Sequence, residues 1–489
     1  MKKKFVFVNL SIRSGYNSGI NHGIAYLVPI IKRHSYEVSV INIRSEITPG
    51  QFLDKINSLS PDILAFSCMS NQFIHLCKYS NAVKDKKILQ ISGGVCATLE
   101  PERILTSTSI KGVCIGEGEI PLENLLNNIA HRTNILDTHG FYWEDNGGIK
   151  KNPVSEFVSD LTSLDFPDYT VFDDLVVSNH GILLITISRG CPYNCSYCCN
   201  EAIKSVYASG YKYFRIPSVE HSIILLERII SRYPRLKTIQ FEDDLLIANE
   251  AWFKDFAVEY KKKIKLPYSC CVRAEYINKN IVGLMKQSGC VRALIGLESG
   301  NEHLRNKILN RKYSNANFIE KAKIIKDEGI KLYTFNIVGF PFEGKKEIND
   351  TLELNKRIEP DDGVCTFFYP YRGTELYRIC EQEGLLKDEK DTLKITNYNT
   401  KPAIRLKGLT EKECVKFQKI ITFYLIKQSF KYEYKKFCNS CPGIKRYPYF
   451  VYLWLTVYVK PILMRIIYNY DMLFSYFTKA KEYLYYKGN

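Results

Sequence analysis

The sequence lacks long apolar runs, low-complexity blocks and internal repeats. The stretch YPYFVYLWLTVYV, over 447–459, has thirteen residues without a charge, short of the roughly 20 that a membrane-spanning helix needs. The start MKKKFVFVNL alternates in hydropathy and is interrupted by polar Asn9 and Ser11, which favours a first β-strand over a secretory signal. A globular chain of 489 residues remains, long enough for two or three domains.

Cysteine is frequent but scattered. Sixteen cysteines in 489 residues are too dilute for a disulfide scaffold, and without a secretory signal they indicate the reducing cytoplasm. The net charge of +16 permits an anionic partner, either nucleic acid or an anionic membrane. Because no nucleic-acid-binding motif accompanies the charge, we expect a cytoplasmic protein without a nucleic-acid partner, in which many basic residues simply face solvent.

An alternation of strands and helices begins at Lys4 and continues to about Asn128. It predicts an α/β, Rossmann-like domain over 1–135, with a parallel sheet and helices on both faces. Ligands of such sheets bind at the carboxyl ends of the strands. The sequence places at those ends Ser67, Ser70, Gly93, Gly94, Gly116, Glu117 and Gly118.

Two further regions follow this domain. Residues 136–180 are polar and contain DNGG and two prolines, which predicts a hairpin and a linker. Six strand–helix units over 181–385 predict a partial (β/α)6 barrel, open on one side, with its chemistry at the strand C-termini. Residues 386–489 are basic and aromatic and are expected to form a helical C-terminal region. Its 447–459 stretch predicts either a buried helix or one that lies in a membrane interface.

Four cysteines stand within nine residues of TISRGCPYNCSYCCNEAI, in the loop after the first strand of the second series. Cys191, Cys195 and Cys198 are spaced C-x3-C-x2-C. Structural zinc takes four protein ligands and no histidine follows closely, while a disulfide would leave the third thiol alone. A 4Fe–4S cluster needs four ligands, so three cysteines would leave one iron open. We expect Cys199 to point away from Cys198 and to pack.

This stretch resembles the radical S-adenosylmethionine superfamily, in which the three-cysteine loop holds a 4Fe–4S cluster and S-adenosylmethionine chelates the open iron. The later strand ends FEDDLL, LIGLESG and FNIVGFPFE resemble the segments that bind this cofactor. The family's commoner Gly-Gly-Glu is missing, so the choice among Glu242, Asp243 and Asp244 stays open, with Asp243 preferred. The residues that the resemblance assigns to S-adenosylmethionine are Tyr197, Asp243, Glu298, Ser299, Gly339 and Pro341.

From the first strand to about residue 385, the arrangement resembles the subgroup with an N-terminal cobalamin-binding domain. In that subgroup the strand-end loops enclose the nucleotide tail of the corrin, which implies that the strand-end residues of 1–135 bind cobalamin. The first loop, SIRSGYNSGINHGIAYL, lacks the Asp-x-His-x-x-Gly motif whose histidine coordinates cobalt. We therefore predict that His22 starts a helix and is not a cobalt ligand.

The resemblance implies an enzyme that receives an electron from an external donor such as flavodoxin or ferredoxin. The cleavage of S-adenosylmethionine would give methionine and a 5′-deoxyadenosyl radical. We expect C-methylation of an unactivated carbon in a lipid-like or secondary metabolite. The alternatives are ring formation or rearrangement with the same cofactors, and RNA methylthiotransferase-like chemistry. The C-terminal region suggests an apolar substrate or peripheral membrane contact, and its Cys438 and Cys441 are too few for a metal site.

Overall fold

The computed structural model describes residues 2–12, 19–207, 212–392, 394–395 and 397–440, apart from the side chains of 178 and 433–440. The predictions for the 447–459 stretch and for Cys438 and Cys441 concern side chains outside these ranges.

The N-terminal strands form one sheet, here called sheet A. Its strands are β1 (Lys4–Leu10), β2 (Glu37–Ile43), β3 (Ile63–Cys68), β4 (Leu89–Gly93), β5 (Gly112–Cys114), β6 (Phe141–Asp145) and β7 (Gly148–Lys151). The spatial order is β2-β1-β3-β4-β5-β6-β7. The first five strands are parallel, and β6 and β7 form the predicted hairpin, which extends the sheet antiparallel to β5.

Both faces of sheet A are covered at its centre, where β1 and β3 are almost wholly buried, as is usual for parallel strands. Phe5 and Phe7 of β1 belong to the hydrophobic core on one face, and Val6 and Val8 belong to the core on the other, as the two-residue period of a strand requires. The helices of this unit are α1 (His22–Arg33), α2 (Pro49–Leu59), α3 (Phe73–Asn81), α4 (Val95–Leu99), α5 (Pro101–Ser107) and α6 (Glu119–His131).

The second series forms a six-stranded parallel sheet, here called sheet B. Its strands are β8 (Ile182–Ile185), β9 (Thr238–Phe241), β10 (Tyr268–Val272), β11 (Cys290–Glu298), β12 (Lys331–Val338) and β13 (Asp362–Phe367). Neighbours in sequence are neighbours in space, with β8 and β13 at the two edges. The structure therefore confirms the predicted fold class, a Rossmann-like sheet followed by an open partial barrel.

The helices around sheet B begin at residues suited to capping. Asn or Ser side chains cap four of them, because a side-chain oxygen can accept an N–H that the first turn leaves unpaired. The helices are α7 (Asp173–Ser178), α8 (Cys199–Lys204), α9 (Val219–Arg232), α10 (Glu250–Lys263), α11 (Lys279–Ser288), α12 (Asn315–Asp327), α13 (Lys345–Ile358), α14 (Glu375–Gln382), α15 (Glu389–Thr392) and α16 (Glu411–Ser440).

The long helix α16 packs along the edge strand β13. Its buried side chains include Cys414, Gln418, Ile421 and Leu425, a spacing of three and four residues that places them on one face. Gln418 Nε2 donates to the backbone oxygen of Cys365 at 2.8 Å. Within the described part of the chain, no helix has the length and hydropathy needed to cross a bilayer.

Candidate functional site

The three-cysteine loop connects β8 to α8 at the carboxyl end of sheet B. Cys195 is buried, whereas Cys191 and Cys198 are half-buried. The Cys198 N–H donates to the backbone oxygen of Cys195 at 3.0 Å, and Ser196 Oγ donates to the backbone oxygen of Ile308 at 2.5 Å. The loop is thereby closed on itself and anchored to the segment that follows β11.

A guanidinium lies beside this loop. Arg273, just after β10, donates from Nη1 to Cys195 Sγ at 3.2 Å and pairs through Nη2 with Glu275 Oε1 at 2.7 Å. Its guanidinium stacks 3.6 Å from the centroid of the Tyr193 ring. Arg273 therefore ties the cysteine loop to the end of β10.

Burial and neighbouring groups set the protonation of the other thiols. Burial is the main cause that raises the pKa of Cys191 to about 11. A hydrogen bond with Cys199, and then burial, raise the pKa of Cys198 well above its ordinary value. The prediction that Cys199 points away is therefore wrong. The chain turns from extended backbone at Cys198 into α8 at Cys199, which brings the two side chains together.

Three acids follow β9, and of these Asp243 is buried whereas Glu242 and Asp244 are exposed. Asp243 is 1% exposed, and its Oδ1 accepts the Ile187 N–H at 3.0 Å, the Ser188 N–H, and Ser188 Oγ at 2.5 Å. Its Oδ2 is buried with no hydrogen-bond partner among the described residues. Burial raises the pKa of Asp243 to about 6.

A buried ion pair stands at the end of β11. Glu298 has a φ of +61° and is 8% exposed, and its Oε1 lies 3.5 Å from Arg311 Nη1. Arg311 also donates to Tyr197 Oη at 3.3 Å and to the backbone oxygen of Gly296 at 2.7 Å. Burial raises the pKa of Glu298, and the charge of Arg311 opposes that rise. A Cβ on Gly296 would lie 2.3 Å from Glu298 Oε1.

The end of β12 completes this edge of sheet B. Gly339 has a φ of +81°, and its N–H donates to Glu343 Oε2 at 2.5 Å. Burial raises the pKa of Glu343 to about 8. The Tyr197 ring lies 5.8 Å from that of Phe340, so the cysteine loop touches this strand end. Ser299 and Pro341 are both buried.

A cavity of about 340 Å³ opens between the strand ends of sheet A, the helices α1 and α6, and the cysteine loop. Thr186, Arg189 and Gly190 of the cysteine loop line one side of it. Of the predicted strand-end residues of sheet A, those that line it are Ser67, Gly93, Gly94, Gly116, Glu117 and Gly118. Side chains that line its apolar part include Phe5, Phe7, Ala65, Ile91 and Phe141. Ser70 is buried just after β3, outside the cavity lining.

Ion pairs join the two sheets at the rim of this cavity. Arg189 lies 3.1 Å from Glu117 Oε2 and 2.5 Å from Glu119 Oε1, and Arg215 also pairs with Glu117. Tyr207 Oη accepts the Glu117 N–H at 2.7 Å. A Cβ on Gly116 would lie 2.2 Å from that oxygen, so the glycine permits this contact between the two units. Glu117 thus binds cations of the barrel.

His22 forms a second bridge across the cavity. It is the first residue of α1, which confirms the prediction that it starts a helix. Its Nδ1 lies 2.8 Å from Tyr169 Oη and its Nε2 lies 3.2 Å from Glu242 Oε2. Both ring nitrogens are thereby engaged by protein groups, and the Glu242 carboxylate, at the end of β9, is held against the N-terminal unit.

Two family models match this chain, one for each of its two units. The family model for the radical SAM superfamily matches residues 185–354, and the model for the B12 binding domain matches residues 11–126. The chain joins a B12-binding domain to a radical S-adenosylmethionine domain. The first implies cobalamin, and the second implies a 4Fe–4S cluster and S-adenosylmethionine.

The relatives of this cobalamin-dependent radical S-adenosylmethionine chain are named for more than one reaction. It is 24% identical over 413 residues to an uncharacterized methyltransferase of Pyrococcus horikoshii, an alignment covering 82% of this chain and 87% of that protein. It is 22% identical over 437 residues to an anaerobic magnesium-protoporphyrin IX monomethyl ester cyclase of Cereibacter sphaeroides, covering 84% and 68%.

Solved structures share the fold. The cobalamin-dependent radical enzyme OxsB superposes with a TM-score of 0.66 at 15% identity, over 97% of this chain and 72% of that one. The methyltransferase TsrM of Kitasatospora setae, with cobalamin and a 4Fe–4S cluster bound, superposes with a TM-score of 0.62 at 12% identity, over 78% and 75%. These structures show the shared fold, while the two family matches mark the chain as an enzyme of the cobalamin-dependent radical S-adenosylmethionine class.

The cysteine loop of this radical S-adenosylmethionine domain fits a 4Fe–4S cluster. Among the described residues, no three His, Cys, Asp or Glu side chains converge on one metal ion. A cluster does not require such convergence, because each thiolate binds a different iron. Cys191, Cys195 and Cys198 are soft ligands of the kind that iron–sulfur clusters take, and Arg273 lies beside one of them. These three cysteines would hold the cluster.

The neighbouring acids fit a cationic cofactor. Asp243 Oδ2 has no partner among the described residues, and Glu298 is buried with a raised pKa. Burial disfavours the charged form of both carboxylates, Arg311 offsets this only in part at Glu298, and a further cation would offset it more. S-Adenosylmethionine carries an ammonium and a sulfonium, and either carboxylate would be stabilised beside them. The sequence had no signal for Arg273 and Arg311, which reach the site from the end of β10 and from the segment after β11.

The cavity of the B12-binding domain fits part of a corrin cofactor. Its volume lies at the lower end of the range for ligand pockets, and its apolar walls between sheet A and the helices suit a flat, weakly polar group. Gly93 and Gly94 line it, and Gly94 has a φ of +91°, a conformation that glycine adopts without strain. The strand-end loops of sheet A would hold the cofactor.

Proposed function

We propose that this chain methylates an unactivated carbon of a lipid-like or secondary metabolite. When bound, the cluster with S-adenosylmethionine supplies a 5′-deoxyadenosyl radical that can remove hydrogen from such a carbon, and cobalamin supplies the methyl group. The observation that carries the proposal is the shared cavity, whose walls include both the strand-end loops of sheet A and residues 186, 189 and 190 beside Cys191.

The protein's own contribution is to hold the two halves of the site in position and to enclose the reacting groups. The ion pairs of Arg189 with Glu117 and Glu119 fix the cysteine loop against the B12-binding domain, and His22 with Glu242 does so at a second point. Contacts that hold two halves of a site together also exclude water from it, and a reactive carbon radical needs that protection.

We propose distinct duties for the acids at the mouth of the barrel. Asp243 would stabilise the ammonium group of S-adenosylmethionine through Oδ2, since its Oδ1 already accepts hydrogen bonds from the cysteine loop. Glu298, Ser299, Gly339 and Pro341 would contact the rest of that cofactor, with Tyr197 closing over it.

A small-molecule substrate and an external reductant of the flavodoxin or ferredoxin type complete the set of partners.

Two alternatives use the same fold. Ring formation or rearrangement is favoured by the relative named as a cyclase. RNA methylthiolation would call for a second cluster on N-terminal cysteines. A relative named as a putative methylthiotransferase supports this alternative. The N-terminal cysteines Cys68, Cys77, Cys96 and Cys114 are spread over β3, α3, α4 and β5, and Cys114 packs on the face of sheet A opposite to the other three, which argues against a shared second cluster.

Product analysis tests the proposal. The anaerobically reconstituted protein is incubated with a reductant, cell-extract metabolites and S-adenosylmethionine that carries a deuterated methyl group. We expect 5′-deoxyadenosine together with a product that has gained one labelled methyl group. Cys195→Ala should yield neither, whereas the adjacent Cys199→Ala, which leaves the triad intact, should retain both. Deoxyadenosine formed with an unlabelled, cyclised product would favour the ring-forming alternative.

A further inference from the structure

The solvent side of α16 is unlike the other helix surfaces of the barrel. Every exposed residue of α16 between 412 and 431 is Lys, Ile or Phe. Ile420 is 40% exposed and Phe423 is 52% exposed. The acids that begin the helix, Glu411 and Glu413, pair with Lys387 and Lys345. Residues 414–431 contain no Asp or Glu, so this part of α16 exposes no carboxylate.

The exposed residues of α16 form one stripe. Lys416, Ile420, Phe423 and Lys427 are separated by four, three and four residues, so they lie on one side of the helix, over roughly 16 Å at 1.5 Å per residue. These four residues, with Lys412 one turn earlier, are called the α16 face. Lys412, Lys416 and Lys427 form no ion pair with any described residue.

Helix α10 shows what an ordinary solvated surface of this chain looks like. It exposes Lys254, Lys261 and Lys262, and it also exposes Val258, which is 58% accessible. Asp255 is exposed among these residues, so its charges are of both signs. The α16 face differs from it by the absence of acids, and by apolar side chains placed between lysines.

We propose that the α16 face docks on an anionic lipid surface. A helix with lysines beside large apolar side chains is suited to the boundary between headgroups and acyl chains. There Ile420 and Phe423 would enter the apolar layer, while the long stems of Lys416 and Lys427 would let their ammonium groups reach the phosphates. An acidic protein surface would satisfy the lysines but would give no reason for the exposed apolar pair.

Charge also argues against coverage of this face by the chain itself. Residues 441–489 contain seven basic and two acidic side chains, so they carry the same sign as the α16 face. A second copy of the face would repel it for the same reason. That segment also contains fourteen aromatic residues, a composition common at membrane interfaces. The proposal concerns where the enzyme works, and it is independent of the reaction that it performs.

The test is vesicle flotation of the full-length, reconstituted protein. Vesicles of phosphatidylcholine alone are compared with vesicles that contain one third phosphatidylglycerol, at low and at high salt. We expect flotation with the anionic vesicles only, and its loss at high salt. Each lysine near an anionic surface is worth about 1 kcal/mol, so loss of the three charges alone weakens binding about a hundredfold, and the charge reversals Lys412→Glu, Lys416→Glu and Lys427→Glu together should weaken it more than that.

A matched variant separates position from total charge. Lys254→Glu, Lys261→Glu and Lys262→Glu on α10 change the net charge equally and should weaken binding no more than about threefold. Phe423→Ser should weaken it clearly, and Val258→Ser should not. Circular dichroism confirms that each variant folds. Equal losses from both helices, unchanged binding of the α16 variants, binding to neutral vesicles alone, or no binding at all would each overturn the proposal.

Discussion

The carboxyl edges of the two sheets carry very different side chains, although both are formed by the ends of parallel strands. Sheet A ends in Ser67 and in glycines at 93, 94, 116 and 118, around a cavity with apolar walls. Sheet B ends in thiols and in buried acids and arginines. One edge is suited to a large group bound by shape, and the other is suited to a metal cluster and a charged cofactor.

The two sheet edges therefore differ in the free-energy cost of the charged groups that they bury. Buried charge is expensive unless it is paired, and sheet B accepts that cost at Asp243, Glu298 and Arg311. At the cavity of sheet A, the charged groups Glu117 and Glu119 are paired with Arg189 and Arg215 of the barrel, and most of the remaining lining is apolar or glycine. Changes at one edge should therefore affect one cofactor and leave the other bound.

The largest effect is expected from the cysteine loop. Cys195→Ala removes a buried thiol that Arg273 contacts, so the iron content should fall severely and deoxyadenosine formation should disappear. Cobalamin binding, measured by its absorbance after gel filtration, should stay within about twofold of the parent, because sheet A is untouched. Loss of both cofactors together would show that the two edges do not act separately.

The next effect concerns charge in the barrel. Glu298→Gln keeps the shape but removes the carboxylate proposed to face the cationic cofactor, and it also leaves Arg311 unpaired, which in comparable buried pairs costs about 3–5 kcal/mol of stability. We expect S-adenosylmethionine binding, measured by anaerobic equilibrium dialysis, to weaken a hundredfold or more. The iron and corrin contents serve as controls and should be unchanged. Unaltered affinity would remove Glu298 from the cofactor site.

Glu343 provides a pH-dependent test of the same edge. Its folded pKa of about 8 lies above the unfolded value near 4.5, so the folded state retains a proton that the unfolded state loses between these pH values. The contribution of Glu343 to stability therefore falls as pH rises through this window, by about 1.4 kcal/mol per pH unit.

Glu343→Gln should abolish that loss. Compared with the parent, the apoprotein variant should gain about 3 kcal/mol between pH 5 and pH 7, as measured by urea unfolding. A stability difference that stays constant over this range would mean that Glu343 is ionised in the folded protein. Glu353→Gln, at an exposed position of the same helix α13, is the matched control and should show no comparable trend.

The smallest effect is expected in the cavity. Ala65→Leu places three carbons into the space that Ala65 lines, so cobalamin binding should weaken about tenfold while the fold tolerates the change. Val8→Leu, on the opposite face of the same sheet, has no such space and should instead cost about 1–3 kcal/mol of stability. Cobalamin titration and urea unfolding separate the two variants. Equal effects would place the corrin elsewhere.

Sequence reasoning succeeded where the information is local. The strands of both sheets, the start of α1 at His22 and the position of the cysteine loop follow from patterns of a few residues. It failed to predict Arg273 and Arg311, because they reach Cys195 and Tyr197 across 78 and 114 residues of chain. The position of Glu117 at a strand end predicted contact with cobalamin. The sequence could not show that Arg189 and Arg215, from the second unit, converge on it.

The most direct test is an electron paramagnetic resonance measurement on the protein loaded with both cofactors. The reduced cluster and the cobalt(II) form of the corrin each carry an unpaired electron. Because Thr186, Arg189 and Gly190 line the same cavity as the loops of sheet A, the account predicts magnetic coupling, seen as broadening or splitting absent from either singly loaded sample. A spectrum equal to the sum of the two separate spectra would contradict a shared site.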